Sequence, residues 1–219
     1  MIDNFWSPVV LSLKVSSVAL LVVIISGVLI AKFMKNKKFK GRVVVETILL
    51  LPLVLPPTVV GFLLIMIFGL GSPIGQFIES LFNQTVMFTW WAAVIASTVV
   101  AFPLMYQSCK TGFSSVDQEI EHAARVDGAN EWRVFFFITL PLSYKAIISG
   151  AILSFARAIG EFGATLMFAG NLPGKTQTLP TAIYVALESG NTALASLWVI
   201  MIIVISFIML LIASNLKPQ

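Results

Sequence analysis

Arg157 and Glu161 stand four residues apart in the apolar run SFARAIGEFGATLMF, and a helix through both would carry them on one face. An arginine at a bilayer centre costs about 2.5–3.5 kcal/mol on insertion scales, so it normally faces protein or water. Two roles are open to the pair. The charges neutralise each other and lock helices together, or they line an aqueous path and its gate. The carboxylate cancels much of the field that a lone arginine would offer a dianion, so no tight anion site is expected. Gly160 and Gly163 flank Glu161 and permit close helix packing or a break there. Upstream, LPLVLPPTVVGF contains Pro56, Pro57 and Thr58. Adjacent prolines remove two backbone donors and disfavour helix at the residue before them. A break would turn carbonyls toward a cavity, whereas a kink would serve packing alone.

Covalent chemistry finds no equipment. His122 is the single histidine, with no Cys, Asp or Glu cluster at ligand spacing, so no metal site is expected. Cys109 is the single cysteine, so no internal disulfide can form. An enzyme acting on a lipid phosphate would need several bases or nucleophiles at the interface, and these are missing. GNLPGKTQ resembles a phosphate loop, but three residues instead of four separate Gly170 from Gly174. Nucleotide binding by this chain is therefore rejected. Lys175 belongs to an external docking surface or to a plain solvated loop.

The elements that must position these residues are membrane helices. Of 219 residues, 58% are hydrophobic and 11% charged, against about 25% charged in a soluble domain. Segments long enough to span run over 8–34, 44–68, 86–106, 142–168 and 192–214, each helical because lipid offers the backbone no other partner. Five spans are expected, or six if the chain divides near Gly160–Gly163; residues 72–81 add a short interfacial helix. The first thirteen residues hold Asp3 and no Lys or Arg, so the first span is expected to be retained, not cleaved as a signal peptide. Eleven cations fall on one side: Lys32, Lys35, Lys37, Lys38, Lys40, Arg42, Lys110, Arg125, Arg133, Lys145 and Lys217. Lys175 alone falls on the other. The positive-inside rule then places the N-terminus outside and the C-terminus in the cytoplasm. Topology explains the net charge of +4 without nucleic acid, and contact with acidic lipid would be a by-product.

One cytoplasmic segment, 114–141, is unlike the rest. Ser115 and Gln118 have capping-box spacing, and Asp117, Glu119 and Glu121 fall near the positive end of a helix dipole. Ala123 and Ala124 add little bulk. Gly128 can take the left-handed conformation that ends the helix, and Asn130 can cap a second helix over 132–138. The run Phe135-Phe136-Phe137 suits a membrane interface, and Pro141 suits the first turn of the next span. These residues build a helix–turn–helix elbow whose small side chains let another backbone approach. On this evidence alone, docking and a plain capped loop are both open.

The stretch resembles the EAA loop of ABC importer permeases, with Ala123-Ala124, Asp127-Gly128 and Ile138-Thr139-Leu140-Pro141 at the loop's spacing. The position of the loop's glutamate is His122, and Glu121 stands one residue earlier, as is usual among oxyanion importers. LPLVLPPTVVGF and ARAIGEFGATLMFAGNLPGKTQTLP are similar to molybdate importer permeases, and sulfate-importer permeases share the loop and an Ala-Arg-x-x-Gly-Glu core. The resemblance implies an all-α type I importer permease, one domain over 1–219, a homodimer around a central path, and alternating access. It implies docking of a cytoplasmic ATPase dimer on Glu121, His122, Ala123, Ala124, Asp127, Gly128, Leu140 and Pro141, with Mg-ATP held by the ATPase and no cofactor on this chain. It implies also an extracytoplasmic binding protein that delivers molybdate, tungstate or sulfate. A secondary transporter, the rival reading, would bring inverted repeats and more spans, and neither is found.

Overall fold

The computed structural model describes residues 2–35 and 39–215, and its regular structure there is entirely helical. Lys37, Lys38 and Lys217 lie outside the described residues. Helix α1, Ile2–Lys35, has 34 residues, about 51 Å at 1.5 Å per residue, and overshoots a hydrocarbon core of about 30 Å. Its buried stripe of Ser12, Val15, Ser16, Ala19 and Val23 follows helical spacing and faces α5, Trp90–Ser114.

Helix α5 is the central column. Ala92, Ala93, Ala96, Val100, Ala101, Met105, Tyr106, Cys109 and Phe113 are buried along it. Small residues bring its neighbours close. A Cβ on Gly150 of α9, Tyr144–Ile159, would stand 2.6 Å from the Ser108 Cβ, and one on Gly112 would stand 2.5 Å from the Ala146 Cβ.

Two expected spans are not continuous. Residues 44–68 form α2, Arg42–Val54, and α3, Pro57–Phe68, which meet at 120°. Leu55 is extended, with ψ 142°, because the ring of Pro56 crowds a helical predecessor, and Pro57 then opens the next helix. The span expected over 142–168 is likewise divided. Its helix α9 ends at Ile159, residues 160–162 are not helical, and α10 runs Gly163–Ala169. The span expected from 86 begins only at Trp90, where Thr89 Oγ1 accepts from the Ala92 amide, and it continues to Ser114.

The segment expected at the interface is helical: α4, Pro73–Phe82, is capped by Ser72 Oγ accepting from the Gly75 amide at 2.9 Å. The elbow comprises α6, Gln118–Val126, then α7, Glu131–Val134, a π-helical turn over Phe135–Thr139, and α8, Leu140–Leu142. A 71° bend at Ser143 leads into α9. Helix α11, Leu179–Glu188, was not foreseen from sequence. It packs with α12, Thr192–Asn215, through Leu179, Ala182, Ala186, Ala195 and Trp198. Trp198 Nε1 donates to the Phe5 carbonyl at 3.0 Å, joining α12 to the start of α1. Among the described residues, three helices are long and apolar enough to cross a membrane, or five spans result if each bent pair is one crossing.

Candidate functional site: an elbow and two broken helices

The elbow is built from local rules. Asp117, not Ser115, caps α6: its Oδ1 accepts from the Glu119 amide at 2.9 Å. The expected Ser115–Gln118 capping box is absent because α5 runs through Ser114, and the Ser115 hydroxyl donates to the Gly112 carbonyl of that helix. At the other end Gly128 has φ +90°. The Gly128 amide donates to Arg125 and the Ala129 amide to Ala124, the paired closure of a Schellman turn. Asn130 Oδ1 accepts from the Arg133 amide at 2.8 Å and starts α7, as its residue type suggests. Arg125 then spans the turn with two bonds to Glu131, at 2.6 and 3.2 Å.

Glu121 faces inward. Its side chain is 5% exposed, receives Lys35 Nζ at 2.6 Å and the Thr139 hydroxyl at 2.6 Å, and lies 3.6 Å from Arg125. Burial alone would raise its pKa, but Lys35, Thr139 and Arg125 outweigh that and hold the carboxyl below its ordinary range. The opposite face carries His122, Ala123, Asp127 and Gly128, all exposed, with Ala124 half-buried beside them. Pro141 is exposed and Leu140 half-buried. Val126, at 86% exposure, belongs to this bare face and was missed from sequence. An apolar residue among charges was the available signal. Lys35 and Thr139 were missed as partners of Glu121 too, because contacts across 86 and 18 residues leave no local trace; Glu131, six residues from Arg125, was within local reach.

The second constellation joins segments about a hundred positions apart in the chain. Helices α3 and α10 lie backbone to backbone. A Cβ on Gly163 would stand 3.0 Å from the Pro57 Cβ and 3.3 Å from the Thr58 amide nitrogen, and one on Gly61 would stand 2.7 Å from the Met167 Cβ. Glu161 splices the break between α9 and α10. Its Oε2 lies 2.6 Å from Arg157 Nη1, and its Oε1 accepts from the Ala164 amide at 2.8 Å. The Glu161 side chain is fully buried while that of Arg157 is 30% exposed, so the carboxylate locks and only the guanidinium reaches a surface. Pro56, Thr58 and Gly160 are exposed. Gly160 marks the break, with only the Ala156 carbonyl oxygen at 3.5 Å from a Cβ built there, and Gly163 makes the close approach.

Lys175 is exposed in the loop between α10 and α11. The amides of Lys175, Thr176 and Gln177 all donate to the Leu172 carbonyl, at 2.9–3.1 Å. Amides turned inward in this way are not free to cradle a phosphate.

An all-helical membrane chain with broken helices and a capped elbow has the fold of the permeases of ABC importers. It superposes on the bacterial alginate ABC transporter, solved in complex with an alginate pentasaccharide-bound periplasmic protein, with a TM-score of 0.78 at 20% identity, over 97% of this chain and 78% of that one. Against the MetNI methionine ABC transporter in an inward-facing conformation the TM-score is 0.67 at 14% identity, covering 100% and 96% of the two chains. Residues 23–219 match the model of the binding-protein-dependent transport system inner membrane components, and the chain belongs to that family. It is 62% identical over 217 residues to the putative molybdenum transport system permease protein YvgM of Bacillus subtilis (strain 168), covering 99% of this chain and 96% of the relative. It is 44% identical over 202 residues to the molybdenum transport system permease protein ModB of Escherichia coli (strain K12), covering 91% and 88%.

Proposed function

We propose that this chain is the permease subunit of an ATP-driven oxyanion importer, and that its cargo is molybdate. Two copies form the path, and a cytoplasmic ATPase dimer, which holds Mg-ATP, docks on the elbow. An extracytoplasmic binding protein delivers the anion, with Lys175 in the surface that receives it. The whole of 1–219 acts as one domain, with its N-terminus outside and its C-terminus in the cytoplasm. Binding energy from closure of the ATPases shifts the chain between outward and inward openings.

The observation that carries the mechanism is the two-faced elbow. One face is fixed to the core through Glu121, and the other presents His122, Ala123, Val126, Asp127 and Gly128 bare. A rigid, exposed bracket tied to α1 and α9 is suited to receive a push. The family match supplies the importer class, and the two close relatives, a putative and a named molybdenum transport permease, supply molybdenum as the cargo element. Ion pairs among Lys35, Arg42, Lys110, Arg125 and the carboxylates Glu46, Glu121 and Glu131 bring cations of separate segments together, which supports their lying on one side. Along the path, Thr58, Pro56 and the Arg157 guanidinium offer weak contacts, and these are sufficient because a cargo anion must leave as readily as it enters.

Reconstitution of the permease with its ATPase and binding protein in liposomes tests the reading. ATP-dependent molybdate uptake is expected, with tungstate competing and sulfate competing far less. Preferential sulfate uptake would reassign the cargo, and uptake that needs no ATPase would end the importer reading.

A further inference from the structure

Lys32, near the end of α1, carries a buried ammonium with no hydrogen-bond partner among the described residues. Its Nζ lies 3.1 Å from the ring centre of Trp132, 4.3 Å from that of Phe135 and 5.5 Å from that of Phe136. Trp132 and Phe136 stack at 5.9 Å, and Phe135 meets Phe136 edge-on at 5.3 Å, so the three rings brace one another into a box. The ring faces attract the cation, and the attraction strengthens as both lose water.

Lys35 lies three residues on, on the same face of α1, and holds Glu121. Helix α1 therefore grips both arms of the elbow, α6 through Lys35 and α7 with its π-helical turn through Lys32. A cavity of about 150 Å3 lined by both lysines, Glu121, Glu131 and Phe135 lies between them, so long side chains bridge a gap that close helix packing does not fill. An apolar side chain of the same length would occupy the box without stranding a charge. A cation–ring contact, unlike a hydrogen bond, tolerates rotation of the ammonium as the parts shift.

We infer that Lys32 is a positioning residue for transport: its seat in the Trp132–Phe135 box makes α1 a second output of the elbow, so that displacement of α6 and α7 carries α1 along with α9. This rests on the importer reading proposed above. The test is the number of molybdate ions imported per ATP hydrolysed, measured on the reconstituted full complex. Lys32→Met is expected to lower that ratio about fivefold, the low end of coupling between linked sites, while ATP hydrolysis persists. Lys32→Arg, which keeps a cation that stacks on aromatic faces, restores the ratio. Trp132→Leu lowers it from the other side, and the double variant Lys32→Met/Trp132→Leu is no worse than either single one. An unchanged ratio in Lys32→Met, or independent losses that multiply in the double variant, overturns the inference. Failure of both single variants to assemble, with Lys32→Arg assembling, would show a purely structural role and overturn it too. A wild-type complex that hydrolyses ATP and imports none of the three oxyanions refutes the importer reading instead, so the two failures are distinguishable.

Discussion

At Glu121 the chain has placed a carboxylate where its nearest neighbours are two cations and a hydroxyl, all from the same chain. Its helix could have presented it to a partner; the Lys35 and Thr139 contacts turn it inward. Glu121→Ala strands Lys35 and the Thr139 hydroxyl, and a loss of about 3 kcal/mol is expected, read as a lowered melting temperature of the purified subunit in detergent. The pH dependence has a definite sign. The folded carboxyl is more acidic than the unfolded one, so folding releases protons, and the stabilisation is complete above the ordinary carboxylate pKa. It is lost as pH falls through the folded value. A melting profile of Glu121→Gln should therefore be flatter below about pH 4, where the unperturbed group titrates. Gly128 is constrained by conformation alone, since nothing lies within 4 Å of a Cβ built there. Gly128→Val should strain the turn by about 1–2 kcal/mol and lower uptake per ATP, whereas Gly128→Asn, which tolerates φ +90° better, should retain most of it. Equal behaviour of the two would remove the backbone explanation. Gly128 and Asn130 were legible because caps and turns are local. The cap at Asp117 was misread because the length of α5 decides which residue is free to act, and that length is set by packing against α1 and α9.

The elements behave differently from their composition. Apolar runs over 44–68 and 142–168 satisfy a length rule, yet both are broken, at Pro56 and at Gly160–Phe162. The prolines and glycines were visible in the sequence, with kink and break both open and a simple kink the commoner explanation at the prolines. Pro56 extends Leu55, and the broken halves α3 and α10 then pair, their backbones close at Gly61 and Gly163. Gly61→Leu should wedge them apart, costing about 1–3 kcal/mol by overpacking and lowering assembly yield with the ATPase. Gly160→Ala meets only the Ala156 carbonyl oxygen at 3.5 Å and should leave the stability, read from the melting temperature, within about 0.5 kcal/mol of wild type, as a change away from tight packing does. If Gly61→Leu is silent and Gly160→Ala severe, the assignment of packing and break is reversed. Helix α11 escaped notice because ten residues are too few to satisfy a span rule.

For the molecule as a whole, an unusually large apolar surface is left bare. Ile200, Ile203, Phe207 and Leu210 project from α12, and Val54, Phe62 and Met66 from α2 and α3. In lipid such faces need no cover, but a path requires a second wall. Mass measurement of the solubilised complex should find two copies of this chain for two ATPase subunits, and one copy would remove the proposed path. The sequence by itself determined that the chain is helical, lies in a membrane and carries a capped bracket, because composition, charge bias and turn chemistry act over a few residues. Only the tertiary structure decided that Glu121 turns inward onto Lys35 and Thr139, that α3 meets α10, and that α1 grips the elbow with two lysines. Those outcomes depend on which distant side chains share a desolvated space, and no pattern of neighbours along the chain contains that distance.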